Sequence, residues 1–339
     1  MIFLGVLVTV AACGRAPVAP GRALVERTQV SMGSQLRLAA WTADEAAAVA
    51  AFESVFREFA RLEALMTVWR DDSDVSRMNA MAGTQPVKVS AETIEVLAVA
   101  AEAGAWTGGK FDITFGALAD VWKFDHDQDN RVPDRKAIEA RLPLVDYTAV
   151  RIDRAAGTAF ITKPGARVHL GGIGKGYAVD RAIALLRERG FNDFMIQAGG
   201  DLYVSGLNGD RPWKLGINDP RGPAGRAFAT IELSNATFST SGDYERSFIK
   251  DGTRYHHILD PDKGEPARGC RSVTIVADRA MLADALSTGV FILGPADGMA
   301  LVEQLPGVEA VIVSATNEVL ISSGLRGKVT ILAKPTDGR

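Results

Sequence analysis

A glycine-rich stretch, VHLGGIGKGYAVD at residues 168–180, constrains what this chain can fold into more than any other segment. Positions 171–176 include four glycines, and an extended apolar run, ARVHL, leads into them. Apolar residues then recur at helical spacing over positions 178–186. A strand, a glycine turn and a helix in this order present backbone N–H groups and a helix N-terminus to an anion, and Lys175 adds a positive charge.

The stretch lacks the spacing of two widespread phosphate-binding loops. No Ser or Thr follows Lys175, as a P-loop requires, and the dinucleotide pattern G-x-G-x-x-G with its later acidic residue is missing as well. A tight turn that packs a helix on a sheet explains these glycines as well as an anion site does. On this stretch alone, both interpretations stay open.

Periodicity along the rest of the chain predicts helices interspersed with short strands and hairpins. Thr42 and Glu45 form a capping-box pattern that begins a long helix. Further helices are expected at 91–105, 176–189, 280–292 and 296–304, and polar loops at 69–79 and 124–135. Strands are expected at 26–40, 149–153, 158–162, 193–197, 202–206, 213–217, 227–233, 245–250, 253–259, 272–277, 309–314, 318–322 and 328–333. The pattern predicts an α+β fold with mixed, largely antiparallel sheets and packed helices.

Length and charge limit the possible classes of protein. The chain has 339 residues, of which 47% are hydrophobic, and this suits a single domain at 26–335 or two intimately joined subdomains. Its net charge is -3, so there is no basic field and no nucleic acid partner is expected.

The N-terminus reads as a targeting segment. The apolar run FLGVLVTVAA is too short to span a bilayer and fits the core of a signal peptide at residues 1–12. VAAC at 10–13 resembles a bacterial lipobox, which predicts lipidation of Cys13 and a tether at 13–25. No Lys or Arg precedes the apolar run, so a plain signal peptide or a start codon further upstream are alternatives. We expect the protein to lie in the bacterial periplasm, where a lipid anchor holds it to a membrane. The membrane that we expect is the inner membrane, at its periplasmic face.

Two small constellations could carry chemistry. Asp284 and Thr288 are four residues apart on a predicted helix, so they share one face and offer the hard oxygen ligands that suit Mg²⁺. A salt-bridged or capping residue on a helix surface is the alternative for Asp284. His256 and His257 are adjacent in an extended segment and must point to opposite faces, so one of them at most faces a given site.

The segment 124–135 also has a calcium-like spacing, D-x-D-x-D. It lacks the glycine and the bidentate glutamate of an EF-hand loop. We therefore expect solvated surface there.

The stretch LGGIGKGYAVD at 170–180 resembles the signature of the ApbE family, the FAD:protein FMN transferases. Four further segments match that family in the same order: GKFDITFG at 109–116, AGGDL at 198–202, STSGDY at 239–244 with YHHILDP at 255–261, and ADALST at 283–288. The resemblance covers about residues 30–325. It implies an ApbE-like, T-fold-like architecture and an enzyme that attaches FMN from FAD through a phosphoester to Ser or Thr of a partner protein, with release of AMP.

The resemblance also assigns residues. It implies Mg²⁺ ligands at Asp284, Thr288 and the carbonyl of Gly172, and a catalytic base at His257. The positions that it implies for FAD binding are Met32, Trp69, Lys110, Phe111, Asp112, His169, Lys175 and Ile258. His169 departs from the family, which commonly has Asp at this place.

The implied partners are FAD as substrate, Mg²⁺ as cofactor and an acceptor protein with the motif D-G-x-S/T-G-A-S/T, a subunit of a membrane redox complex. Two alternatives share these residues. A Mg²⁺-dependent FAD pyrophosphatase would use water in place of the acceptor hydroxyl. A periplasmic FAD-binding lipoprotein would bind the flavin without turnover.

Overall fold

An eight-stranded antiparallel sheet is the frame on which the other elements lie. The computed structural model describes residues 21–125 and 127–338. The helices of this part are α1 (Glu45–Met66), α2 (Asp74–Ala80), α3 (Ala91–Trp106), α4 (Arg135–Arg141), α5 (Gly174–Glu188), α6 (Ala280–Leu293) and α7 (Pro295–Val302). Among them, none is long and apolar enough to cross a membrane.

The strands are β1 (Ala23–Ser31), β2 (Ser34–Thr42), β3 (Val87–Lys88), β4 (Val150–Asp153), β5 (Thr158–Ile161), β6 (Phe194–Ala198), β7 (Asp201–Ser205), β8 (Trp213–Asn218), β9 (Ala227–Leu233), β10 (Ala236–Gly242), β11 (Ser247–Lys250), β12 (Thr253–His256), β13 (Leu259–Asp260), β14 (Glu265–Pro266), β15 (Cys270–Ala277), β16 (Glu309–Ser314), β17 (Val319–Ile321) and β18 (Val329–Ile331). The large sheet has the order β1-β2-β6-β7-β10-β15-β16-β17, and small sheets of two or three strands flank it. Its pairs are antiparallel, so the predicted α+β class with antiparallel sheets is confirmed.

The central strands of the large sheet are buried on both faces. Leu38 of β2 lies in a core with Phe52 and Phe59 of α1, whereas the next residue, Ala39, lies in a second core with Phe228 of the β8–β9–β18 sheet. Successive residues of a strand face opposite sides, so one strand contributes to both cores. A third core joins α6 and α7 to β15 and β16.

Several local predictions were wrong. Asp44, not Thr42, caps α1, because β2 continues through Thr42 and the carboxylate of Asp44 accepts the N–H of Ala47 at 2.8 Å. Part of the predicted loop 69–79 is α2, capped by Ser73. Helix α4 and strand β10 were not predicted, and β1 begins at Ala23, inside the segment predicted as a tether. The predicted signal peptide and Cys13 lie outside the described residues.

Helices α5 and α6 cross closely because each caps the other. The Gly176 N–H, in the first turn of α5, donates to Asp284 Oδ2 of α6 at 2.9 Å. In return, Asp180 of α5 accepts the N–H groups of Ala280 and Met281, at 2.8 and 3.0 Å, which begin α6. Carboxylates at a helix N-terminus satisfy otherwise unpaired donors and favour the helix dipole. These two groups of hydrogen bonds fix the glycine turn against α6.

Glycine is required at 176 by this crossing. A Cβ there would lie 2.4 Å from the carbonyl oxygen of Ala280 and 2.7 Å from Cα of Met281. Both neighbours are backbone atoms, which cannot move without displacing α6. Gly174 is the matched case on the same helix, since a Cβ there would meet only Leu170 Cβ, at 4.0 Å.

We expect Gly176→Ala to lower the free energy of unfolding by about 1–3 kcal/mol, because the added methyl group overpacks the crossing. Gly174→Ala should change it by less than about 0.5 kcal/mol. Urea denaturation of both variants and of the unmodified chain measures the difference. Equal effects of the two substitutions would contradict the role given to Gly176.

Candidate active site

Two cavities meet beside the glycine turn. The first has a volume of about 230 Å³ and the second about 510 Å³. Seven residues line both: Gly33, Phe124, Asp125, His169, Gly171, Lys175 and Arg246. We call the place where these residues meet the neck.

The predicted site residues gather around these cavities. The first cavity is lined by Lys110, Phe111, Asp112, His169, Gly172, Lys175, His257, Ile258, Asp284 and Thr288. Met32 and Trp69 line the second cavity instead. Segments separated by up to 256 positions in the sequence, from Met32 to Thr288, therefore meet in one continuous site.

Oxygen donors converge where α6 passes the glycine turn. A Cβ on Gly172 would lie 3.4 Å from Thr288 Oγ1, so the turn and the helix are in contact at this point. Thr288 Oγ1 is also 3.2 Å from the hydroxyl of Ser241 on β10. Asp284 is buried, with Oδ2 bound by the Gly176 N–H, and no described residue donates a hydrogen bond to its Oδ1. A carboxylate and hydroxyls are hard oxygen donors of the kind that bind Mg²⁺.

Lys175 lies between two buried carboxylates. Its Nζ is 3.1 Å from Asp201 Oδ2 and 4.0 Å from Asp284 Oδ2. Burial alone lowers the pKa of Lys175, but the two carboxylates outweigh burial and raise that pKa above its ordinary value. Lys175 therefore stays charged. Asp201 is itself held by the hydroxyl of Ser239.

For Asp284, burial outweighs the groups that stabilise its charged form. Burial and then the neighbouring charge of Asp201 raise the pKa of Asp284 to about 7, against the lowering effects of Lys175 and the Gly176 N–H. A divalent cation beside a carboxylate favours its ionised form. The residues present therefore fit a bound Mg²⁺, which would supply the positive charge that this buried pair of carboxylates needs.

His257 faces the first cavity as a neutral imidazole. Burial, then the charge of Arg246 and of His256, lower the pKa of His257 to about 3. Its Nδ1 is buried and has no hydrogen-bond partner among the described residues. The neighbouring His256 is buried on the other side, with Nε2 at 2.9 Å from the carbonyl of Ala267. Of the two rings, His257 is thus the one available for proton transfer in the cavity.

His169 shapes the glycine turn. Its Nδ1 accepts the N–H of Gly171 at 3.0 Å, and its ring packs at a tilt on Phe115. Burial lowers the pKa of His169, so the ring is neutral and Nδ1 can accept. A carboxylate at this position could accept the same N–H.

Two residues expected to bind ligand are engaged by the chain itself. The carboxylate of Asp112 accepts N–H and O–H groups of Thr114 and the N–H of Tyr147, which orders the local turn. Lys110 is paired with Asp260 at 2.8 Å and Asp262 at 2.7 Å. Both line the first cavity, but their main contacts are with neighbouring segments.

At the second cavity, Met32 has a φ of 49° in the β1–β2 turn, and its N–H donates to Glu63 at 3.1 Å. Trp69 is 57% exposed at the rim.

Sequence reasoning missed Asp201 and Arg246 as parts of the site. Asp201 lies in the quoted AGGDL segment, so a buried charge in that motif was the available signal.

Comparison with known proteins agrees with the fold and with the family resemblance. The sequence model described as the ApbE family matches residues 32–312. The FAD:protein FMN transferase of Treponema pallidum is 32% identical over 350 aligned positions, which cover 98% of this chain and 95% of that protein.

Solved structures give the same result. The crystal structure of the ApbE protein of Thermotoga maritima has a TM-score of 0.82 at 33% identity and covers 90% of this chain and 99% of its own. The flavin transferase ApbE of Vibrio cholerae has a TM-score of 0.81 at 27% identity and covers 91% and 99%. The resemblance inferred from the motifs and the enzyme class, a transferase, are therefore confirmed. The chain belongs to the ApbE family.

Proposed function

We propose that this chain is a Mg²⁺-dependent FAD:protein FMN transferase, which attaches FMN through a phosphoester to Ser or Thr of a partner protein and releases AMP. One observation carries the proposal. The helix turn with Asp284 and Thr288 packs against the glycine turn, with the charged Lys175 at the neck between two cavities. A dinucleotide with one half in each cavity would have its diphosphate at that neck.

The reaction balances as a single phosphoryl transfer. The acceptor hydroxyl oxygen forms a bond to the phosphorus of the FMN half, and the bond from that phosphorus to the bridging oxygen breaks. AMP leaves with the bridging oxygen, and the hydroxyl proton passes to His257. Such transfers depend on positioning and on neutralising charge rather than on covalent chemistry by the protein.

Different residues would hold the metal ion and pair with the phosphates. Asp284, Thr288 and the Gly172 carbonyl would hold Mg²⁺, which when bound neutralises charge that develops on the phosphates. Lys175, kept charged and fixed by Asp201, would pair with a phosphate oxygen.

His257 would act as general base. A pKa of about 3 makes an imidazole a weak base, but positive Arg246 is one cause of that low value. The negative charges of a bound diphosphate act in the opposite direction and raise the pKa of His257. The base would therefore become effective only when FAD is bound.

The acceptor and the location belong to the same proposal. By the resemblance, the acceptor is a protein with a D-G-x-S/T-G-A-S/T motif in a membrane redox complex. A lipid on Cys13 would hold the enzyme at the periplasmic side of a membrane, beside such acceptors.

The test is incubation of the purified chain with FAD, Mg²⁺ and an acceptor domain that has the motif. Intact-mass analysis should find one FMN residue on a single Ser or Thr, with AMP in equal amount. An acceptor with that residue changed to Ala is the control. Free FMN and AMP without an acceptor would indicate the pyrophosphatase instead, and no product from a folded, FAD-binding preparation would refute both activities.

We expect His257→Gln to lower the rate of FMN transfer by about 10²- to 10⁴-fold, because a positioned base is removed from a weak nucleophile. The affinity for FAD should change by less than about threefold, since the amide keeps the volume of the ring and its hydrogen-bonding capacity. Single-turnover transfer and flavin fluorescence measure the two quantities. A loss confined to FAD affinity, with the rate of the bound complex unchanged, would remove His257 from the chemistry.

A further inference from the structure

The neck between the two cavities has a second positively charged side chain besides Lys175, that of Arg246. Of the seven residues that line both cavities, three are charged: Asp125, Lys175 and Arg246. Sequence reasoning gave Arg246 no role. It lies between β10 and β11, and its carbonyl accepts the N–H of His257 at 3.1 Å, so it is tied to the candidate base through the backbone.

Among the residues that the structure describes, Asp125 alone pairs with the guanidinium of Arg246. Its Nη1 is paired with the carboxylate of Asp125. Its Nη2 lies 3.7 Å from the place that a Cβ on Gly33 would occupy, so it reaches across to the β1–β2 turn. Within the part of the chain that the structure describes, neither Nη2 nor Nε donates a hydrogen bond. A planar guanidinium has several N–H donors, so N–H groups of Arg246 remain available for a ligand at the neck.

Lys175 alone does not match the charge of a diphosphate. Its ammonium group is already close to Asp201 and Asp284, whereas Arg246 faces the single carboxylate of Asp125. The charge of Arg246 also extends over the site, because it contributes to the lowered pKa of both His169 and His257. A ligand with two adjacent negative charges at the neck would therefore be attracted by the positive charges of both Lys175 and Arg246.

We propose that Arg246 binds the diphosphate of the dinucleotide with the edge of the guanidinium that Asp125 leaves available. This inference rests on the proposed function, since it takes FAD as the ligand. Guanidinium groups bind phosphate oxygens through two parallel N–H bonds, which fixes orientation as well as charge. Arg246 then selects for a flavin with a diphosphate over one without phosphate, and it holds the scissile bond beside His257.

The experiment compares FAD with riboflavin, which has the same ring system and no phosphate. Arg246→Gln should weaken FAD binding by about 10- to 100-fold, as expected when a charged hydrogen bond is lost. Riboflavin binding should change by less than about threefold, because no phosphate is present to respond. Arg246→Lys keeps the positive charge but loses the pair of parallel N–H donors, so it should give an intermediate FAD affinity. Quenching of flavin fluorescence measures all of these affinities.

Arg135→Gln is the matched control. Arg135 is an exposed, ion-paired arginine that lines neither cavity, so the same change in net charge there should leave both affinities unchanged. Equal losses for FAD and riboflavin in Arg246→Gln, an unchanged FAD affinity, or an equal effect of Arg135→Gln would each overturn the inference. If the unmodified chain binds riboflavin but not FAD, the proposed function fails as well. If it binds FAD and the Arg246 variants do too, only this inference fails.

Discussion

The pair of reciprocal caps between α5 and α6 is the contact on which the rest of the site depends. Asp284 receives the Gly176 N–H, and Asp180 receives the first two N–H groups of α6. Each cap of this kind contributes about 0.5–2 kcal/mol to a helix. Their larger effect is positional, because they fix the glycine turn and the oxygen donors of α6 in one place. Asp284 thus serves the fold through Oδ2 and is left with Oδ1 for a ligand.

The charges at this crossing are not balanced by the protein alone. Asp201 and Asp284 are buried, and Lys175 is the cation placed between them. Burying a charge without compensation is costly, which is why the pKa of Asp284 is raised. A site with more buried carboxylate than ammonium favours a divalent cation. A cation there, together with Lys175 and Arg246, would in turn attract a diphosphate. Fold, metal and substrate would then stabilise one another.

Periodicity predicted the elements that bury apolar side chains in a regular pattern. The predicted helices 91–105 and 280–292 differ from α3 and α6 by a single residue at one end. Strand β10 was missed because five of its seven residues are Thr, Ser or Gly, whose burial between β7 and β15 is decided by the neighbouring strands. Helix α2 was missed because its few apolar residues are flanked by polar and charged ones.

The motifs predicted which residues line the cavities, but not what each side chain touches. Lys175 and Asp201 are 26 positions apart, and Arg246 and Asp125 are 121 apart, so their pairing depends on tertiary structure. Asp112 shows the same limit, because its oxygens are taken by Thr114 and Tyr147. Local sequence can indicate that a polar residue lies in a site. It cannot tell a ligand contact from a contact within the chain.

We propose that a cation and a diphosphate share the place where the glycine turn meets α6. Calorimetric titration of Mg²⁺ with and without saturating FAD distinguishes this arrangement from two independent sites, because each of two coupled ligands must change the affinity for the other by the same factor. We predict that FAD raises the affinity for Mg²⁺ by about 10-fold or more. This gain should be lost in Asp284→Asn and kept in Asp297→Asn, a change at an exposed carboxylate of α7. Mg²⁺ affinity that is indifferent to FAD, or coupling that survives in Asp284→Asn, would contradict the account.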